Sequence, residues 1–84
     1  MKTFEDLVFR PDADGRPGHL HALMTFEIGR WISVTRAGKY ACCDALHPYE
    51  VQDDEGRIYE YQTSSDVTAI MAAIQKNLLA RSGK

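Results

Sequence analysis

His19 and His21 stand one residue apart, Cys42 and Cys43 are adjacent, and His47 follows shortly after them. On a β-strand, alternate residues project to the same side about 6.5–7 Å apart, so the two imidazoles could share a metal ion. A tetrahedral zinc ion would then take its remaining ligands from Cys42, Cys43 or His47. The spacing argues against this. There is no C-x-x-C pair, and part of the set would be two neighbouring thiols. A simpler account is a strand face carrying two ordinary histidines, with one cysteine packed as a small apolar residue. On that account neither a metal nor a cofactor is expected.

Cys43 is the second chemical candidate, because Asp44 lies beside it and histidines occur elsewhere in the chain. Nothing in the spacing brings a histidine to the thiol or supplies oxyanion donors. A carboxylate next to a thiol also disfavours the thiolate that would attack. Neither a glycine-rich phosphate loop nor a G-x-G-x-x-G run is present. The expectation is therefore a protein that is not an enzyme.

Two stretches carry residues suited to binding. Arg30-Trp31 and the run from Arg36 through Lys39 to Tyr40 interleave cations with aromatics. Such groups can grip a nucleic-acid backbone and stack a base, and they also serve as hot spots for a protein partner. The plainer alternative puts Trp31 in the core and leaves the arginines solvated. Asp53, Asp54 and Glu55, with Asp12 and Asp14, could present negative charge at loop tips. Most acidic loops are merely soluble; the sharper reading is that they imitate phosphates in a basic groove of a larger complex.

Bulk properties limit these options. Eighty-four residues provide one domain and one core, and 44% apolar with 26% charged residues is ordinary globular usage. Ten basic against twelve acidic side chains give a net charge of −2. That is too mild to mark a nucleic-acid binder, or a wholesale mimic of one. No apolar run approaches the roughly 20 residues of a membrane span. Glu5 and Asp6 interrupt any secretory apolar segment before Arg10. Adjacent cysteines rarely bond to each other, so a reducing cytoplasm is expected.

The elements that must position these residues are legible. Phe4, Leu7 and Phe9 form an apolar N-terminal segment, one turn and then a short strand. Residues 10–18, with Pro11, Gly15, Pro17 and Gly18, read as a flexible loop. From His19 to Phe26, Leu20, Ala22, Met24 and Phe26 alternate with polar residues, as on a half-buried strand. Gly29 suits a turn, and Trp31–Thr35 reads as the partner strand, with Trp31 on the side of Ser33 and Thr35. Tyr40–Cys43 reads as another strand. Tyr49–Gln52 and Arg57–Tyr61 flank the loop Asp53–Gly56 as a hairpin. Val67, Ile70, Met71, Ile74 and Leu78 make one helical stripe, predicting a helix over about 64–81 capped by Thr63. The fold expected is α+β: a single domain, 1–84, with an antiparallel meander of four to five strands packed on one C-terminal helix.

Met1-Lys2-Thr3-Phe4-Glu5-Asp6-Leu7 with Phe9 and Pro11, then Met24-Thr25-Phe26-Glu27-Ile28-Gly29 before Ile32-Ser33-Val34, then Asp66–Met71 with Ile74-Gln75, occur in that order. In this pattern the chain resembles a group of small, uncharacterised proteins of bacteriophage and prophage genomes. The likeness weakens between Tyr40 and Gln62, where that group carries a longer acidic segment. The resemblance implies genomic context and a sheet-plus-helix domain, and transfers no catalytic motif. Small phage proteins often act by adhering to a host machine, anti-CRISPR proteins among them.

The function expected is that of a non-enzymatic phage or mobile-element protein that binds and inhibits a host protein complex, with a CRISPR effector as its most concrete form. Its partner-binding residues would be Arg30, Trp31, Arg36, Lys39 and Tyr40, with Asp53, Asp54 and Glu55 as a second surface. A small nucleic-acid-binding regulator using the same residues is the alternative. With Leu23 and Trp31 on the outer sheet face, a homodimer is also a reasonable expectation.

Overall fold

A computed structural model describes residues 1–11, 19–36 and 45–76. Five strands, β1 (Arg10–Pro11), β2 (Leu20–Thr25), β3 (Trp31–Arg36), β4 (Tyr49–Asp53) and β5 (Ile58–Gln62), form one antiparallel sheet in sequence order. Helix α1 (Ser64–Gln75) closes one face, and a short 3₁₀ helix (Phe4–Asp6) precedes β1. The expected α+β meander with one C-terminal helix is what the chain forms.

Strand alternation decides which side chains enter the core. Ala22 and Phe26 from the β2 segment, Ile32 and Val34 from β3, and Val51 from β4 are buried on the inner face. Val67, Met71 and Ile74 meet them from one stripe of α1, with Ile70 partly buried beside them. The helix starts where capping chemistry permits. The Thr63 hydroxyl accepts from the Asp66 amide at 3.1 Å, and the Asp66 carboxylate accepts from the Thr63 amide at 2.9 Å. The same Thr-x-x-Asp spacing recurs at the 3₁₀ helix, where the Thr3 amide donates to Asp6 at 2.8 Å.

The N-terminal segment runs along one flank of α1. Lys2 and Gln75 exchange two hydrogen bonds, of 2.8 and 2.7 Å, and the Phe4 amide donates to the Thr68 hydroxyl at 3.1 Å. Phe4, Phe9 and Tyr49 then form an aromatic trio with ring centroids 5.1–5.8 Å apart at the margin of the core.

One expectation about the meander changes. Arg10 and Pro11 pair with His21 and Leu20 instead of opening a loop. Proline is tolerated there because β1 is an edge strand, where a missing amide donor costs no ladder bond. The rest of the expected 10–18 loop lies outside the described residues. β3 pairs directly with Tyr49–Asp53, and the expected strand Tyr40–Cys43 lies outside the described residues. Helix α1 is described through Gln75, and the remainder of the predicted 64–81 span likewise lies outside.

Both hairpin loops are built on one plan. In the first, the Phe26 amide donates to the Arg30 carbonyl and the Gly29 amide to the Phe26 carbonyl. In the second, the Asp53 amide donates to the Arg57 carbonyl and the Gly56 amide to the Asp53 carbonyl. Each is a three-residue loop whose last position is left-handed, and glycine fills it: Gly29 at φ 82° and Gly56 at φ 86°. The two loops lie side by side at one end of the sheet.

Candidate functional site

The loop end carries most of the charged chemistry. The Arg30 guanidinium grips Asp54 with Nη2 at 2.9 Å and Nε at 3.2 Å, which ties the β2–β3 loop to the β4–β5 loop. Both side chains are almost fully shielded, and the Asp54 carboxylate holds the Arg30 pKa above its ordinary value. Asp53 is wholly buried. Its Oδ1 accepts the amides of Glu55 and Arg57, each at 2.9 Å, and its Oδ2 accepts Arg57 Nη1 at 2.8 Å. That bond to Asp53 raises the Arg57 pKa.

These contacts change what several expected binding residues can offer. Arg30 does not flank Trp31 as a surface cation, because it turns inward to a partner 24 positions away. Asp53 and Asp54 do not form an exposed acidic tip: one carboxylate caps its own loop and the other neutralises Arg30. Glu55 joins the same loop network through its amide, which donates to Asp53. Arg36 is exposed at the end of β3, while Lys39 and Tyr40 lie outside the described residues.

Opposite α1, the sheet presents a face that no described element covers. Register arranges its side chains in rows across the strands. Arg10, His21, Thr35 and Glu50 form one row, and Leu23, Ser33, Gln52 and Ile58 form the next. Thr25 and Trp31 pair beyond them. On β5 one extra residue is inserted, so Glu60 and Tyr61 both oppose Glu50, and Tyr61 takes a left-handed φ of 60°. Leu23 is 64% exposed and Trp31 37% exposed. Val8, Ile58 and Tyr61 are also large, exposed and apolar or aromatic. Val8 lies two residues before the Arg10–His21 pair and so continues the row of Leu23. Met1 and Ile28, also large and exposed, lie off this face, around a depression shared with Lys2 and Gln75 of the α1 side.

One polar contact on this face was not foreseen. His21 Nε2 lies 2.6 Å from Ser33 Oγ, a diagonal pair between β2 and β3. A serine–histidine pair invites comparison with a hydrolytic nucleophile, but it sits on interior strands whose backbone amides are engaged in ladder pairing. Such a surface lacks the convergent amide donors that acyl transfer requires. Only the register of β2 against β3 could have revealed the contact.

Shallow depressions occur elsewhere. One of about 220 Å³ lies between Met1, Lys2, Phe26, Glu27, Ile28 and Gln75, and one of about 250 Å³ lies by Phe4, Ser64 and Thr68. Both are smaller than the roughly 300–1,000 Å³ usual for small-molecule sites. Among the described residues, no cluster of three or more histidine, cysteine or acidic side chains could hold a metal ion. The candidate thiols Cys42 and Cys43 lie outside the described residues. His19 and His47 are described, and they do not enter such a cluster. Among the described residues, no helix is long and apolar enough to cross a membrane. Comparison with protein-family models, curated proteins and solved structures finds no match.

Proposed function

We propose that this chain is a non-enzymatic interaction module whose uncovered sheet face binds another protein. The observation that carries the reading is the gathering of Val8, Leu23, Trp31, Ile58 and Tyr61 on the one sheet face that α1 does not cover. Exposed apolar side chains scattered singly need no explanation, whereas several on one rigid, flat face mark an interaction surface. Between them, Ser33, Thr35 and Gln52 supply donors and acceptors on a framework whose register is fixed by ladder pairing. A rigid surface loses little conformational entropy on binding, and an aromatic among polar neighbours is typical of a protein-binding hot spot.

The resemblance to phage proteins makes a host protein complex the partner class, and inhibition of a defence system such as CRISPR its most concrete form. Arg30 and Asp53–Asp54 serve this reading by locking the two hairpin loops that border Trp31. The test is capture of the tagged protein's partners from host extract with and without nuclease, with Leu23→Glu and Trp31→Ala variants beside the wild type. Loss of a discrete protein partner in both variants, with folding retained, supports the reading. Recovery of nucleic acid instead, with affinity falling steeply in salt, would transfer the face to a nucleic-acid-binding role.

A further inference from the structure

The geometry points to a second copy of this chain as an occupant of the same face, packed sheet on sheet about a two-fold axis that runs along β3. This rests on the reading of that face as a protein interface and names what covers it when no other partner is present.

Charge and shape are distributed across the face in a self-complementary way. β3 is the middle strand of five, and its outer side chains beyond Trp31 are the small Ser33 and Thr35. The cationic Arg10 sits on β1 at one edge, paired with His21, and the anionic Glu60 sits on β5 at the other edge, near the same row. Both are exposed. A two-fold axis along β3 exchanges the two edges, so Arg10 of one copy lies over Glu60 of the other, and the reverse. It also sets Val8 of one copy over Ile58 of the other, and brings the two Trp31 side chains together near the axis. A contact of this kind is isologous and closes on itself, so it yields a dimer and not a fibre. Small residues along the central strand permit the roughly 10 Å spacing at which sheets stack, with strands aligned to within about 30°.

The area sets the strength. Four strands of five or six residues and the short β1, about 4.8 Å apart and rising about 3.4 Å per residue, span roughly 400 Å² in projection. A stable interface buries about 800 Å² per partner. The dimer is therefore weak and readily exchanged, which suits a face that a different protein displaces.

Sedimentation equilibrium across micromolar to millimolar protein tests this directly. Wild type should move from monomer to dimer over that range. Arg10→Glu and Glu60→Arg should each weaken the dimer about tenfold, because the axis repeats each altered pair. The double variant Arg10→Glu with Glu60→Arg should restore dimerisation to within about twofold of wild type. Both positions are exposed, so unchanged circular dichroism is expected for all three variants. A wild-type protein that stays monomeric throughout, or a dimer that neither single reversal weakens, or one that the double reversal does not rescue, overturns the inference. Capture of a host protein that depends on Leu23 and Trp31, from a chain that remains monomeric, would retire the second copy and leave the interface reading standing.

Discussion

Asp53 is the residue whose removal should damage the fold most for its size. It is fully buried, and its two oxygens receive two backbone amides and one guanidinium nitrogen at 2.8–2.9 Å. Truncation to alanine strands the Glu55 and Arg57 amides in a loop that water reaches only in part. At about 1–1.5 kcal/mol for each charge-assisted amide bond, these cost about 2.5 kcal/mol. The Arg57 side chain is open to solvent, so its ion pair to Asp53 adds little. Asp53→Ala should therefore lose about 2.5 kcal/mol, out of the roughly 4–12 kcal/mol expected of a domain this size. With a urea dependence of about 1 kcal/mol per molar, the unfolding midpoint should fall by about 2.5 M. Asp53→Asn keeps one oxygen for the two amides but turns an amide donor toward Arg57, and should lose about 1 kcal/mol. Equilibrium urea unfolding followed by circular dichroism measures both. An alanine variant within about 0.5 kcal/mol of wild type, or an asparagine variant as damaged as the alanine one, would show that the carboxylate does not organise the loop.

Further outcomes follow from the same structure. Arg30→Ala leaves the shielded Asp54 carboxylate without its counter-ion and should lower stability by about 2 kcal/mol in urea unfolding, with Arg30→Lys recovering only part of it because the bond pattern is forked. Gly29→Ala and Gly56→Ala each force a side chain into a left-handed backbone with open space around it, so each should cost about 1 kcal/mol from conformation alone, and the double variant about the sum. Thr63→Ala removes the α1 cap and should cost about 1 kcal/mol. The Thr63 amide and hydroxyl hold the Asp66 pKa below its ordinary value, so this carboxylate stabilises the fold above the unfolded-state pKa, and the contribution disappears as pH falls through the lower folded-state value. An acid titration of stability should accordingly lose that component in Asp66→Asn. Met71→Ala, in the centre of the core, should cost about 3 kcal/mol, whereas Leu23→Glu on the open face should change stability by less than about 0.5 kcal/mol.

Much of the architecture was legible because it rests on short-range periodicity. The alternation Leu20, Ala22, Met24, Phe26 and the stripe Val67, Ile70, Met71, Ile74 each state a face without reference to the rest of the chain. The Thr63–Asp66 cap and the glycine-ended loops are equally local. What escaped was long-range. The pairing of Arg10 and Pro11 with β2 needs a partner strand ten positions on, and sequence around two prolines reads as loop. Arg30 looks like a surface cation until Asp54 is brought beside it by the neighbouring hairpin. Asp53 carried a usable signal, since an aspartate three residues before a glycine is the first position of a turn whose side chain bonds the following amides. The His21–Ser33 contact depended wholly on register.

The central claim is that the sheet face opposite α1 binds protein. Its most direct test compares wild type, Leu23→Glu and the off-face control Ile28→Glu in capture from nuclease-treated host extract, at matched folding by circular dichroism. The account predicts one discrete partner complex, retained by Ile28→Glu and lost by Leu23→Glu. Equal capture by all three would place binding elsewhere on the molecule and contradict the account.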